Sequence, residues 1–191
     1  MKIEANDALV VVDIQNDFCG GGALAVNGAD EIIPIVNKLI PLFKHCAFTR
    51  DWHPADHCSF SPNPEFIDMS WPAHCVQGTL GAEFHPDLDM PADAWIVSKA
   101  MKSEKEAYSD FEDTAFAEEL RDRAVARLFV CGIATDYCVK ATALDGIAND
   151  LQVVLIQDAC RGVDVPPGTA AQAVEAMKAA GVQLCVSGDL A

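Results

Sequence analysis

Three short stretches of this chain are apolar with little or no alternation: ALVVVDI at Ala8–Ile14, LFVCGI at Leu128–Ile133 and VVLI at Val153–Ile156. A strand with one wet face alternates polar and apolar residues, so unbroken runs of this length belong to strands covered on both faces. Two-sided cover of that kind is the signature of a parallel sheet with helices packed above and below. Helical patterns fall between the runs. Asp30–Lys44 places Ile32, Ile33, Val36, Leu39, Ile40 and Phe43 at helical spacing. Asp30 is its expected N-cap, Pro34 is expected in or near the first turn, and Pro41 is expected to kink the helix or end it. Further helices are expected from Thr114, from Asp136 to Asn149 and from Thr169 to Ala180, the last closed by Gly181. Shorter strands are expected at Cys46–Thr49, Ala94–Ser98 and Val182–Val186. The expected architecture is an α/β three-layer sandwich, a six-stranded mainly parallel sheet with helices on both faces. At 191 residues, a single domain over 1–191 is expected.

One region resists this pattern. Residues 50–93 carry Pro54, Pro62, Pro64, Pro72, Pro86 and Pro91 among His, Trp and Asp residues. A loop of that length inside a compact domain is usually functional. Composition narrows what the function is. Thirteen Lys+Arg against 29 Asp+Glu leave a net charge of −16, which repels phosphate backbones and anionic lipid, so neither nucleic acid nor a membrane is expected as a partner. The longest apolar runs are far short of the ~20 residues of a membrane span. The N-terminal residues lack a secretory pattern, and the eight cysteines follow no CxxC or short disulfide framework. A reduced, cytoplasmic setting is the expectation.

In an open parallel sheet, ligands bind beyond the carboxyl ends of the strands. Asp13 and Phe18 follow the first expected strand, and Arg50, Asp51, Trp52, His53 and His57 follow the second. Lys99 ends the third, and GIATDYCVKAT with Cys138 follows the fourth. An acid, an ammonium, a thiol and an Asp/His cluster thus converge on one edge. Near a helix N-terminus, Cys138 is expected to have a lowered pKa and to sit beside N–H groups able to hold an oxyanion, although a thiol there could equally pack under the helix. Asp13, at the end of an apolar run, needs a cation or a proton, and Lys99 can supply the cation. Asp51 and His53 point to the same side of an extended segment; with His57 and His74 they suit zinc, iron or manganese. His45 and His85 read as structural or solvent-facing. Gly20–Gly22 lacks the following Lys-Ser/Thr of a P-loop and reads as a turn.

VVDIQNDF, DWHPADH, SWPAHCVQGTLGAEFHP, the lysine of VSK and GIATDYCVKAT resemble, in order over nearly the whole chain, the nicotinamidase branch of the isochorismatase-like cysteine hydrolases. The resemblance implies hydrolysis of nicotinamide to nicotinate and ammonia by a Cys138–Asp13–Lys99 triad. It implies one divalent metal, zinc before iron or manganese, on Asp51, His53 and His74, with His57 at a position that is a ligand in some members. It further implies a cis peptide at Ile133–Ala134, an oxyanion hole of the Ala134 and Cys138 N–H groups, and ring contacts from Phe18 and Trp71, with Tyr108 a looser match. A homo-oligomer is also expected. The alternatives are another small amide or carbamoyl substrate, or a non-catalytic metal-binding domain.

Overall fold

The computed structural model describes residues 1–190. Six strands form one sheet: β1 (Asp7–Val12), β2 (His45–Asp51), β3 (Trp95–Lys99), β4 (Arg127–Ile133), β5 (Gln152–Arg161) and β6 (Gln183–Cys185). Their order is β3-β2-β1-β4-β5-β6, and every pairing is parallel. Four helices connect them: α1 (Ala29–Leu39), α2 (Phe116–Asp122), α3 (Lys140–Ala148) and α4 (Thr169–Ala179). The connection from β1 to β2 runs one way along the sheet, and those into β4, β5 and β6 run the other. Right-handed crossovers therefore put α1 on one face and α2, α3 and α4 on the opposite face. Residues 8–12 of β1 are completely buried, as a central strand sandwiched between helices must be.

The strand order reverses between β1 and β4, and a crevice opens there at the carboxyl ends. Close approach at this point dictates one residue. Gly132 has φ 118°, and a Cβ on it would overlap the Val12 backbone; only glycine adopts that conformation and leaves that space. The peptide between Ile133 and Ala134 is cis, as the resemblance implies.

Three local expectations are corrected. The first helix starts at Ala29 with Gly28 (φ 73°) as N-cap, because the Asp30 carboxylate is drawn instead to the Gly20 N–H at 2.9 Å. Pro34 consequently falls in the second turn, while Pro41 does end the α-helix, within a 3-10 turn at Ile40–Leu42. The helix expected from Asp136 is regular only from Lys140. Thr135–Val139 winds as a wider turn, in which the Val139 N–H donates to the Ala134 carbonyl, five residues back, at 3.1 Å. The helix expected from Thr114 begins at Phe116. Between β2 and β3 the only helical turn is a 3-10 one at Leu80–Ala82. No helix among the described residues is long and apolar enough to cross a membrane.

Candidate active site

Asp13 follows β1 with φ 51° and is wholly buried. Its carboxylate is held at both oxygens: Lys99 Nζ donates to Oδ2 at 2.5 Å and Thr49 Oγ1 donates to Oδ1 at 2.9 Å. Lys99, the last residue of β3, is also completely buried and donates a second bond, again 2.5 Å, to Asp51 Oδ1. The Cys138 sulfur, an Asp13 oxygen and an Asp51 oxygen all lie within 4.8 Å of one another. Four strand ends thus deliver one thiol, two carboxylates and one ammonium to a buried pocket.

The electrostatics follow from that crowding. Burial and the carboxylates of Asp13 and Asp51 push the Cys138 thiol well above its usual range, and Lys99 only partly opposes them. The expectation of a lowered thiol pKa is therefore overturned: desolvation outweighs the ends of the local N–H groups. Burial also raises Asp13 despite Lys99, with Asp51 adding to the rise. Asp51 is likewise pushed up by burial, but Lys99 and His53 outweigh it and hold its carboxyl below the usual range. Lys99 loses proton affinity through burial and regains more from Asp13 and Asp51, so it stays a firm cation.

Asp51, His53 and His74 form a second cluster, with one ligand atom from each within 4.8 Å of the others. Nε2 of His53 lies 3.5 Å from Asp51 Oδ2, and Nε2 of His74 lies 4.0 Å from it. Both ring nitrogens of His53 are buried with no hydrogen-bond partner, which is costly unless something electropositive is bound there. Nδ1 of His74 is bonded to the Pro72 carbonyl at 2.8 Å, so the proton sits on Nδ1 and Nε2 is left as a lone pair toward Asp51. These residues fit a divalent metal. His57 is differently placed: its Nδ1 meets Ser59 Oγ at 2.8 Å and its Nε2 meets the Lys105 carbonyl at 3.2 Å. Both of its nitrogens are engaged, and it forms a separate group with His53 and Glu106.

The two clusters share a cleft of about 360 Å³ whose lining includes Phe18, Trp71, Tyr108, Ala134 and Cys138. Trp71 Nε1 donates to the Tyr108 hydroxyl at 3.0 Å, and Tyr137 stacks edge-on to Trp71 with centroids 4.9 Å apart. Phe18 stands 5.4 Å from the His74 ring. Arg50, by contrast, stacks on Trp52 at 3.8 Å and bonds to Ser98, so it takes no part.

Several positioning side chains carried no recognisable sequence signal. Gln15, wholly buried, donates to the Asp51 and Ala82 carbonyls and accepts from the Asp51 N–H, each at 2.8 Å. Asp17 accepts from the Cys75 N–H at 2.7 Å, next to His74. Asp136 accepts from the Val163 and Asp164 N–H groups and the Thr169 hydroxyl, which locks the Cys138 turn to the loop after β5. Each is a single polar residue whose partner is distant in sequence; the VVDIQNDF context of Gln15 and Asp17 was the only available hint.

A parallel α/β sheet with a buried thiol–carboxylate–ammonium cluster at its switch point defines a hydrolase-type site built around cysteine. The chain belongs to the isochorismatase family, whose domain matches residues 7–188. It is 41% identical to the nicotinamidase of Acinetobacter baylyi over 96% of this chain and 94% of that protein. It is 40% identical to the nicotinamidase/pyrazinamidase of Mycobacterium tuberculosis over 94% and 98% of the two chains. Among solved structures, the zinc complex of the pyrazinamidase of Pyrococcus horikoshii superposes with a TM-score of 0.86 at 46% identity, covering 95% of this chain and 99% of that one.

Proposed function

We propose that this chain, acting as one hydrolase domain, is a metal-containing cysteine amidohydrolase that converts nicotinamide and water to nicotinate and ammonia in NAD salvage, and hydrolyses pyrazinamide as well. The observation that carries the reading is Lys99, whose ammonium bonds at once to the carboxylate beside the thiol and to the carboxylate of the Asp/His/His group. The amide-cleaving and ring-holding halves are thereby set against each other across one aromatic cleft. Similarity to nicotinamidases along nearly the full chain supports the substrate. A cytoplasmic homo-oligomer is part of the same proposal.

Asp51, His53 and His74 would hold the ion, zinc in the first place, which would supply Lewis-acid chemistry toward the ring nitrogen of the substrate. The chain's own residues do the covalent chemistry. With its pKa raised, Cys138 rests as a thiol and must pass its proton on as it attacks. Asp13 takes that proton while sulfur bonds to the amide carbon. The Ala134 and Cys138 N–H groups hold the resulting oxyanion. Its collapse breaks the C–N bond, and Asp13 returns the proton to the departing nitrogen, releasing ammonia. Water then gives a proton to Asp13 as it attacks the thioester; collapse expels the sulfur, which recovers the proton from Asp13. Lys99, bonded to Asp13, opposes the effect of burial and favours its ionised form between transfers. Phe18 and Trp71 wall the ring and hold the amide at the sulfur. Ammonia release on incubation with nicotinamide tests the reading, and none from the metal-loaded protein would refute it.

A further inference from the structure

A second hollow lies at the other edge of the sheet from the chemistry above. It has a volume of about 910 Å³ and opens where β2 and β3 begin, and its lining includes Lys44, His45 and Arg123. His45 is the first residue of β2 and Trp95 the first of β3, whereas Asp51 and Lys99 are the last residues of the same two strands. A strand of that length sets the two edges about 20 Å apart. Acids outnumber Lys and Arg by 29 to 13 along the chain. Yet among the described residues none of these three side chains forms a salt bridge. The one acid in the lining is Asp93, which is exposed.

Arg123 is held in place. It closes α2, its guanidinium lies over the Trp95 ring at 4.0 Å, and Nη1 donates to the Glu119 carbonyl at 3.0 Å. The Glu119 carboxylate, which could have neutralised it, accepts the Trp95 indole N–H at 2.6 Å instead. Stacking fixes the plane of the guanidinium and leaves its other N–H groups for an oxyanion. Burial, then the charges of Lys44 and Arg123, hold the His45 imidazole below its usual range. The two cations therefore converge on His45, which stays neutral near pH 7 and keeps an N–H to donate. Beside these groups, Ile40, Phe43, Phe48 and Pro91 form an apolar wall. A carboxylate offers one charge and two oxygens, whereas a phosphoryl group offers nearly two charges and three oxygens, one for each of the three donors. We propose that this hollow binds a phosphate monoester with a compact apolar group, the phosphoryl oxygens on Arg123, Lys44 and His45 and the apolar group against Phe43 and Ile40.

Titration calorimetry of the metal-loaded, full-length protein with phenyl phosphate tests this without reference to the amidase reading. Inorganic phosphate and phenol probe the two halves of the ligand separately. Phenyl phosphate should bind with a Kd below about 1 mM, inorganic phosphate about tenfold more weakly, and phenol without measurable heat. Arg123→Gln should weaken phenyl phosphate about tenfold and Lys44→Gln about threefold. Arg123→Lys keeps the charge and loses the planar fork, so it should fall between wild type and Arg123→Gln. Lys178→Gln removes an equal charge from α4, which leads into the strand at the opposite side of the sheet, and should change nothing. Equal weakening by Lys178→Gln would mean that only the overall field is felt, and the site would be wrong. Weakening by His74→Ala but not by Lys44→Gln or Arg123→Gln would put the phosphate at the metal group and overturn the proposal. Inorganic phosphate binding as tightly as phenyl phosphate would overturn the ligand class, and no heat from phenyl phosphate would overturn the whole. Should Arg123→Gln fail to fold, Arg123→Lys and the exposed Lys44→Gln decide the matter.

Discussion

The two halves of the cleft are built on different principles. Asp13, Lys99 and Cys138 sit at or just beyond strand ends, where parallel pairing across β3-β2-β1-β4 sets their spacing. His53, Trp71 and His74 belong to the segment between β2 and β3, which has almost no regular structure and is tied down by isolated bridges and side-chain bonds. Backbone ladders set the spacing of the first half, and Asp136 ties the Cys138 turn to the loop after β5. In the second half, a few buried bonds from Gln15 and Asp17 hold the ligands in place. On the proposed reading, reactivity belongs to the half set by the sheet and ring recognition to the half set by the loop. Lys99 joins the two, and substitutions can pull them apart.

The largest effect is expected in the sheet half. Cys138→Ala removes the nucleophile and should lower kcat by about 10³-fold or more, while the melting temperature and ring binding stay near wild type. Ammonia release and a thermal melt measure both. Equal inactivity of a folded Cys131→Ala or Cys75→Ala protein would show that the nucleophile is misassigned.

Next comes the loop half. Removing the metal with a chelator, or making His53→Ala or His74→Ala, should cut nicotinamide turnover by about 10²-fold, because a misplaced amide no longer meets the sulfur. Benzamide has the same amide without a ring nitrogen, so it should begin as the poorer substrate and lose little more. The preference for nicotinamide then shrinks toward equality. Proportional loss for both amides would mean that the ion acts on the hydrolytic water instead.

A third substitution attacks the tie and leaves the ligands alone. Gln15→Leu deletes three buried bonds to the Asp51 and Ala82 backbones. It should destabilise the protein by about 2–4 kcal/mol and weaken metal binding by about tenfold, since stranded buried polar groups are costly and supporting shells tune ligands. Denaturant melts and chelator competition measure each. A variant that kept wild-type metal affinity would show that the loop holds its own shape.

How far the sequence could be read follows the same division. Strands, their parallel pairing and the reactive edge were legible because burial on two faces leaves an unbroken apolar pattern, as in Ala8–Val12. The Asp13–Lys99 contact followed from where two strands end. The Lys99–Asp51 bond did not, because nothing in the sequence says that neighbouring strands stop in register. Residues 52–94 were legible only as motif: D-x-H and SWPAHC marked candidate ligands, but Gln15 and Asp17 act across tens of residues with no periodicity to betray them. The thiol was misjudged electrically because spacing reveals a turn and not how deeply it is buried or which carboxylates stand beside it. The helix start was misjudged because Asp30 found a partner, Gly20, outside its own helix.

The smallest effect concerns the seam where the halves touch. Trp71, from the loop, donates its indole N–H to the Tyr108 hydroxyl, and both rings pack on Tyr137, which adjoins Cys138. Tyr108→Phe removes one oxygen and leaves the ring, so the buried Trp71 N–H loses its acceptor while the apolar wall persists. One uncharged hydrogen bond is worth about 1 kcal/mol, and the predicted result is a rise of about threefold to tenfold in KM with kcat within about twofold of wild type. Trp71→Phe removes the donor and part of the wall, so it should raise KM at least as much. The informative variant carries both changes. If the bond serves only to seat the indole, the acceptor has no further value once the donor is gone, and adding Tyr108→Phe to Trp71→Phe should change KM no further. Additive losses would mean that each side chain meets the ring independently. A fall in kcat from Tyr108→Phe alone would carry more weight, for it would mean that the seam positions the Cys138 turn and that the two halves are not separable.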